Sequence, residues 1–230
     1  HPSELLARAE DCDALLINFI SGHELDLEGA EEVRRSYLGP IYGDLHSLFL
    51  DTAPDGTRHP RRLPRWRRWV ACFDAVQVNE SEMDRMRGEL DADEVAGVVL
   101  EEGCHLLSCT RGSRGAVCWF RDADWPRSGS SAGMPGGRPS LPRDARVERY
   151  EIPARAVEDA DPTGCGDVWG AVLWSRLLAG DAPYEAAATA TRLAGVAAAS
   201  RGTAGLGGKL KAAARDEAQD QIKPEGGGEH

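Results

Sequence analysis

An α/β fold with a mainly parallel sheet wrapped by helices is predicted by three features of the chain. Apolar runs of strand length alternate with segments of helical period through the first two thirds. Two of those runs close on polar residues, Asn79 and Thr110, at the carboxyl ends where such sheets bind ligands. A glycine-bracketed turn, Asp161-Pro162-Thr163-Gly164-Cys165-Gly166-Asp167, then feeds a proline-free apolar stretch beginning Val168-Trp169-Gly170, the pattern of a tight turn entering a helix.

In chain order, Ala14 to Ile20 reads as a buried strand. Leu27 to Leu38 reads as a helix, with acids early and arginines late as the helix dipole favours, and a short strand follows around Ile41 to Leu45. The segment RHPRRLPRWRRW from Arg58 to Trp69 gathers six arginines around Trp66 and Trp69. It is either a phosphate-backbone patch with stacking aromatics or a loop entering an amphipathic helix. The spacing of Trp66, Trp69, Val70 and Phe73 favours the helix, with solvated arginines. Ala75 to Val78 reads as a strand, Glu80 to Arg87 and Ala92 to Glu102 as helices. His105 to Cys109 and Ala116 to Phe120 read as strands joined by a turn containing Gly112 and Gly115. From Arg121 to Arg146 the chain is rich in Ser, Gly and Pro and reads as a loop. Val147 to Ile152 returns as a strand, Gly166 to Ala179 and the Ala-rich Ala182 to Ser200 are helices, and residues 207–230 form a polar tail after a domain spanning 1–206.

At 230 residues the chain can bury a sizeable core in one or at most two domains. No apolar run approaches the roughly 20 residues that span a bilayer, and no signal-peptide pattern opens the chain, so a cytoplasmic location is the expectation. The net charge of −11 works against nonspecific binding to nucleic acid or anionic membranes. The six cysteines lack C-x-x-C spacing and mostly lie in apolar runs, which predicts buried reduced thiols rather than a zinc site.

The turn at Gly164 to Asp167 carries the chemistry. Its glycines allow successive backbone N–H groups to point into one small volume, and the helix behind it adds partial positive charge, so it is an anion site. A carboxylate on the rim of an anion site is electrostatically misplaced unless it accepts a proton from a group attacking the anion. Asp167 is therefore a candidate general base for phosphoryl transfer.

The run D-P-T-G-C-G-D-V-W-G-A resembles the C-terminal signature D-T-x-G-A-G-D-x-F-x-G of the PfkB carbohydrate kinases, the ribokinase-like family, with Cys165 where Ala is usual and Pro162 in place of Thr. Asn79-Glu80-Ser81-Glu82 resembles the family's N-x-x-E element, and Thr110 to Gly115 its T-x-G-x-x-G nucleotide loop, in family order. The resemblance implies a three-layer α/β/α fold and an ATP-dependent kinase acting on a hydroxymethyl group of a sugar or nucleoside. It further implies that Gly164, Cys165 and Gly166 present backbone N–H groups to the transferring phosphoryl, with Asp167 as base. Asn79, Thr110, Arg111, Gly112, Gly115, Gly166 and Thr191 would line the nucleotide site. Glu82 and Asn79 would help hold Mg²⁺ through its water shell, and Asp161 and Thr163 a monovalent cation such as K⁺.

Each motif also has a plainer reading. Asn79 and Glu82 have the spacing of a capping box, and Thr110 to Gly115 that of a hairpin turn. His46, in the Asp44-Leu45-His46-Ser47 stretch facing the same rim, is read as a surface or structural residue. The family's N-terminal strands, glycine-pair motif and β-lid are not visible, so the chain is expected to be a fragment, a naturally short relative being the alternative. Dimerisation would belong to the full-length protein. Two other functions compete with a kinase: a non-catalytic nucleotide-binding remnant and an Arg/Trp nucleic-acid binder.

Overall fold

The computed structural model describes residues 1–121, 146–200 and 202–220, the last five of these by backbone alone. The loop assigned to residues 121–146 lies outside the described residues apart from its two ends, as does the tail from residue 221.

Strands β1 (Leu15–Asn18), β2 (Ile41–Asp44), β5 (Ala75–Asn79), β6 (Leu106–Thr110), β7 (Ala116–Phe120) and β8 (Glu148–Ile152) form one sheet in that order. The first four are parallel, and β7 and β8 add antiparallel to their neighbours. Helices α1 (Pro2–Ala9), α2 (Leu27–Ser36), α3 (Trp66–Val70), α4 (Glu80–Arg87) and α5 (Ala92–Glu101) alternate with the parallel strands, while α6 (Cys165–Leu178), α7 (Pro183–Ala198) and α8 (Leu206–Asp220) follow the sheet. Helix starts are set locally: Asp26, Asn79 and Asp91 each accept a hydrogen bond from a backbone N–H of the first turn.

Side-chain alternation along the strands divides the interior into two layers. Val76, Val78, Leu107, Cys109, Val117 and Trp119 face one side and pack with Ala30 and Val33 of α2, Val70 of α3, Met83 of α4 and Val95 and Val99 of α5. Ala75, Leu106, Ala116, Cys118 and Phe120 face the other and pack with Trp169, Leu173 and Leu177 of α6 and Ala186, Ala187 and Ala190 of α7. Ala186, Ala187 and Ala190 of α7 are fully buried, and such small side chains let it lie close against α6 and the sheet. This is the three-layer α/β/α arrangement, with a mainly parallel sheet, that the sequence predicts.

Three local features differ from the sequence reading. Helix α1 is additional; Pro2 sits in its first turn, and Leu5, Leu6 and Ala9 pack onto the core. Arg58 belongs to a hairpin, β3 (Leu50–Thr52) with β4 (Arg58–Pro60), rather than to a loop. Its turn holds Asp55-Gly56 with Gly56 at φ +85°, a short-range hairpin signal. Helix α3 is a single short turn, started by Arg65 in the left-handed region at φ +55°. Its Trp69 and Val70 are buried, as is Phe73 beyond it, whereas Trp66 is half-buried. The arginines around it meet the chain's own acids, Arg65 with Glu28 at 3.2 Å and Arg68 with Glu31 at 2.8 Å.

Cys72, Cys104, Cys109 and Cys118 are buried thiols, Cys165 is half-buried, and Cys12 is exposed; none of the six forms a disulfide. Among the described residues no helix is long and apolar enough to cross a membrane.

Candidate active site

The parallel strands end together on polar side chains. Asn18 closes β1 opposite Asp44, which closes β2, and Asn79 closes β5 opposite Thr110, which closes β6. Facing this edge is the N-terminus of α6. Gly164 caps it at φ +74°, a conformation that a Cβ would strain. The Cys165 N–H turns to Pro162 O at 3.2 Å. The N–H groups of Gly166 and Asp167 are, by their place in the first turn, without intrahelical acceptors. The Cys165 N–H is thus engaged within the turn, while those of Gly166 and Asp167 are open at the start of α6.

Between the strand ends and α6 lies a cavity of about 600 Å³. It brings together Gly164, Cys165, Gly166 and Asp167 from the turn, Asn79 from the end of β5, Glu82 from α4, Thr110 from the end of β6, Gly112 and Gly115 from the β6–β7 turn, Thr163, and Thr191 from α7. Residues separated by more than a hundred positions in sequence therefore share one concave site. Two expected site residues stand apart from its lining. Arg111 approaches Glu151 of β8 at 3.8 Å, and the Asp161 carboxylate accepts from Thr163 N–H at 3.0 Å, bracing the turn. Thr191 is buried at the cavity wall and accepts from Trp169 Nε1 at 3.0 Å, which ties α7 to α6.

Asn79 and Glu82 form a capping box. The Asn79 side chain accepts from Glu82 N–H at 3.0 Å, and Glu82 accepts from Asn79 N–H at 2.8 Å. The Glu82 carboxylate also meets Asn79 Nδ2 at 2.6 Å and His46 Nδ1 at 2.7 Å. Among the described residues no three His, Cys, Asp or Glu side chains are grouped to hold a metal ion. A carboxylate this well hydrogen-bonded is suited to an ion that keeps its own waters, such as Mg²⁺, rather than to direct capture. Asp161 and Thr163 are joined to each other and add no cluster around Glu82.

Two further residues are structurally central and carry no motif. The Gln77 amide donates to Asp44 Oδ2 at 2.9 Å and to Gly166 O at 3.1 Å, and accepts from Tyr42 OH at 2.6 Å, so it ties β2, β5 and the glycine turn together. Asn18 Nδ2 donates to Asp167 Oδ1 at 2.6 Å. The signal for both was a polar residue inside an otherwise apolar strand. His46, read as a surface or structural residue, lines the cavity and pairs with Glu82. That hydrogen bond raises its pKa, against the opposing effect of burial.

Burial holds the Asp44 carboxyl at about 7, with the negative charges of Glu82 and Asp167 adding to the rise and the His46 N–H opposing it. A carboxyl raised in the folded state binds its proton more tightly there than in the unfolded chain. Its contribution to stability is therefore full at low pH and is lost as pH rises from about 4 through about 7. Asp44→Asn is expected to remove this part of the pH dependence, so that the stability gap between parent and variant narrows from pH 5 to pH 8. Urea midpoints at the two pH values check it.

Comparison with known proteins places these features in a family. The family model described as "pfkB family carbohydrate kinase" matches residues 49–206. No curated protein matches the chain by sequence. Among solved structures, the ribokinase of Thermotoga maritima is 18% identical with a TM-score of 0.61, covering 91% of this chain and 59% of its own. An Escherichia coli ribokinase II candidate in complex with ATP and Mg²⁺ gives 18%, 0.62, 93% and 61%. The Burkholderia thailandensis nucleoside kinase in complex with inosine gives 21%, 0.59, 96% and 60%. At these identities the likeness is one of fold, and the chain spans about three fifths of the length of the structures it matches.

Proposed function

The chain belongs to the PfkB family of carbohydrate kinases, and from that premise we propose that it moves the γ-phosphoryl group of ATP to a hydroxymethyl group of a sugar or nucleoside, with Asp167 as general base. The observation that carries this reading is the meeting, in one cavity, of Asp167, the glycine turn, the strand-end residues Asn79 and Thr110, and Gly112 of the β6–β7 turn. Structural neighbours in complex with ATP and Mg²⁺ and with inosine support the donor and the acceptor classes.

Phosphoryl transfer needs its donor held, the developing charge neutralised and the acceptor aligned. The N–H groups of Gly166 and Asp167 face the position of the transferring oxygens, where donors fixed in advance cost no reorganisation. Asp167, on the rim of the same turn, takes the proton from the attacking hydroxyl as the new P–O bond forms and the bond to the leaving ADP oxygen breaks. Thr110, Gly112 and Gly115 shape the side where the nucleotide lies, and Thr191 closes its wall. Mg²⁺, when bound, neutralises phosphate charge, and Asn79 and Glu82 are the residues that would hold it through its waters.

Gly166→Asp tests the donor site. A Cβ there would have Gln77 Nε2 as its near neighbour at 3.5 Å, an ordinary contact, so a side chain starts there without displacing backbone. We expect Mg²⁺-dependent ATP binding, followed by calorimetry, to be lost in the variant while its melting temperature stays within a few degrees of the parent. Parent binding that survives the substitution would remove the glycine turn from the donor site. ATP binding without transfer to any sugar or nucleoside would leave a nucleotide-binding module in place of a kinase.

A further inference from the structure

We propose that Asn18 is a positioning residue for the general base, its amide holding one carboxylate oxygen of Asp167 so that the other faces the reacting groups. This rests on the reading of Asp167 as base.

Asp167 is an exposed side chain in the first turn of a helix, with an open cavity before it. Left alone it would sample several rotamers. Among the described residues its carboxylate accepts one side-chain hydrogen bond, from Asn18 Nδ2 to Oδ1 at 2.6 Å, across 149 positions of sequence. Its other oxygen, Oδ2, lies on the side of Gly164, 3.7 Å from where a Cβ of that glycine would stand. One oxygen is thus tethered to the sheet, and the free one is beside the turn proposed to bind the phosphoryl group.

The tether is well anchored. Asn18 stands at the end of β1 in register with Asp44, and the next residue, Phe19, donates its N–H to Asp44 O at 3.0 Å. An amide is also the fitting donor chemically. A lysine or arginine would pair the carboxylate with a full charge and weaken it as a base, whereas a neutral donor fixes geometry at smaller cost. Asp44 from β2 and Cys165 on its own helix feel the charge of Asp167, and His46, Glu82 and Arg155 line the same cavity. Asn18 is the donor set among them.

A hydrogen bond on an exposed carboxylate adds little to stability, so its loss should be read in the rate. The test compares the parent, Asn18→Leu, Asn18→Gln and Asp167→Asn, using ATP and the best acceptor from a panel of sugars and nucleosides. Asn18→Leu is expected to lower kcat by about 10- to 100-fold, with the KM for ATP within about a factor of two. Asn18→Gln, which keeps an amide donor, should recover part of the rate. If Asn18→Leu melts far below the parent, Asn18→Ala, smaller and without the donor, takes its place with the same expected changes. An unchanged kcat in a folded Asn18 variant, with Asp167→Asn disabled, overturns the positioning role alone. A parental rate in Asp167→Asn, or a parent that phosphorylates no member of the panel, overturns the base reading and this role with it.

Discussion

Asp167→Asn is expected to slow phosphoryl transfer by about 10²- to 10⁴-fold, the usual worth of a positioned general base, while ATP binding stays within a few-fold of the parent. The substitution preserves the shape of the side chain and its place on α6. The Asn18 amide still finds an oxygen acceptor if the new carboxamide presents its carbonyl, so the turn around Gly164 has no reason to collapse. What disappears is the proton acceptor. The two readouts separate the roles: calorimetry reports the donor site built by Gly166, Thr110 and Gly112, and single-turnover kinetics report the base. A variant that loses binding and rate together would make Asp167 part of the donor site. A variant that keeps its rate would show that the acceptor hydroxyl loses its proton elsewhere.

The largest stability effect is expected at Gly115. It adopts φ +91°, and a Cβ placed there would stand 1.9 Å from Ile152 O and 2.7 Å from Ala154 N. Both obstacles are backbone, and Ile152 is held in register with Ala116 by the β7–β8 pairing. Relief therefore requires the end of β8 to move away from β7. Gly115→Ala should cost about 3–5 kcal/mol, combining left-handed strain of about 1–2 kcal/mol with the distorted strand end. For a chain of this size that corresponds to a fall in Tm of roughly 10 °C. Gly112 is the built-in control: it also has positive φ, at +57°, but no atom lies within 4 Å of its missing Cβ. Gly112→Ala should cost only the strain, about 1 kcal/mol. Equal losses at the two positions would refute the steric account. Because Gly115 also lines the cavity, its variant should weaken ATP binding even at temperatures where it remains folded.

Both expectations concern residues that the sequence singled out, and the reason is local. A glycine pair ahead of an apolar helix, or two glycines in a strand-to-strand turn, is readable because the backbone geometry they permit lies within a few residues. The same holds for Asn79 and Glu82, whose capping box is closed within one helical turn. Reading these motifs side by side also indicated a phosphoryl-transfer site, since each supplies a different need of that chemistry. The Asp55-Gly56 turn of the β3–β4 hairpin is a local signal of the same kind, set beside arginines and prolines that also fit a loop entering the next helix.

What sequence could not decide is which side chains from distant segments meet. Arg111 sits inside a nucleotide-loop motif, yet the twist of the β6–β7 turn carries it toward Glu151 on β8. Asp161 opens the signature, and its carboxylate accepts from the Thr163 N–H of its own turn. Asn18 and Gln77 bear no motif, since their partners lie 149 and 89 positions away at Asp167 and Gly166. The sequence by itself determined the α/β class, the alternation that layers the core and the glycine turn before α6, because each follows from period and backbone freedom over short stretches. Only the tertiary structure decided that the ends of β1, β2, β5 and β6 align against α6, because that depends on strand order and register, which bring residues far apart in the chain within hydrogen-bonding distance.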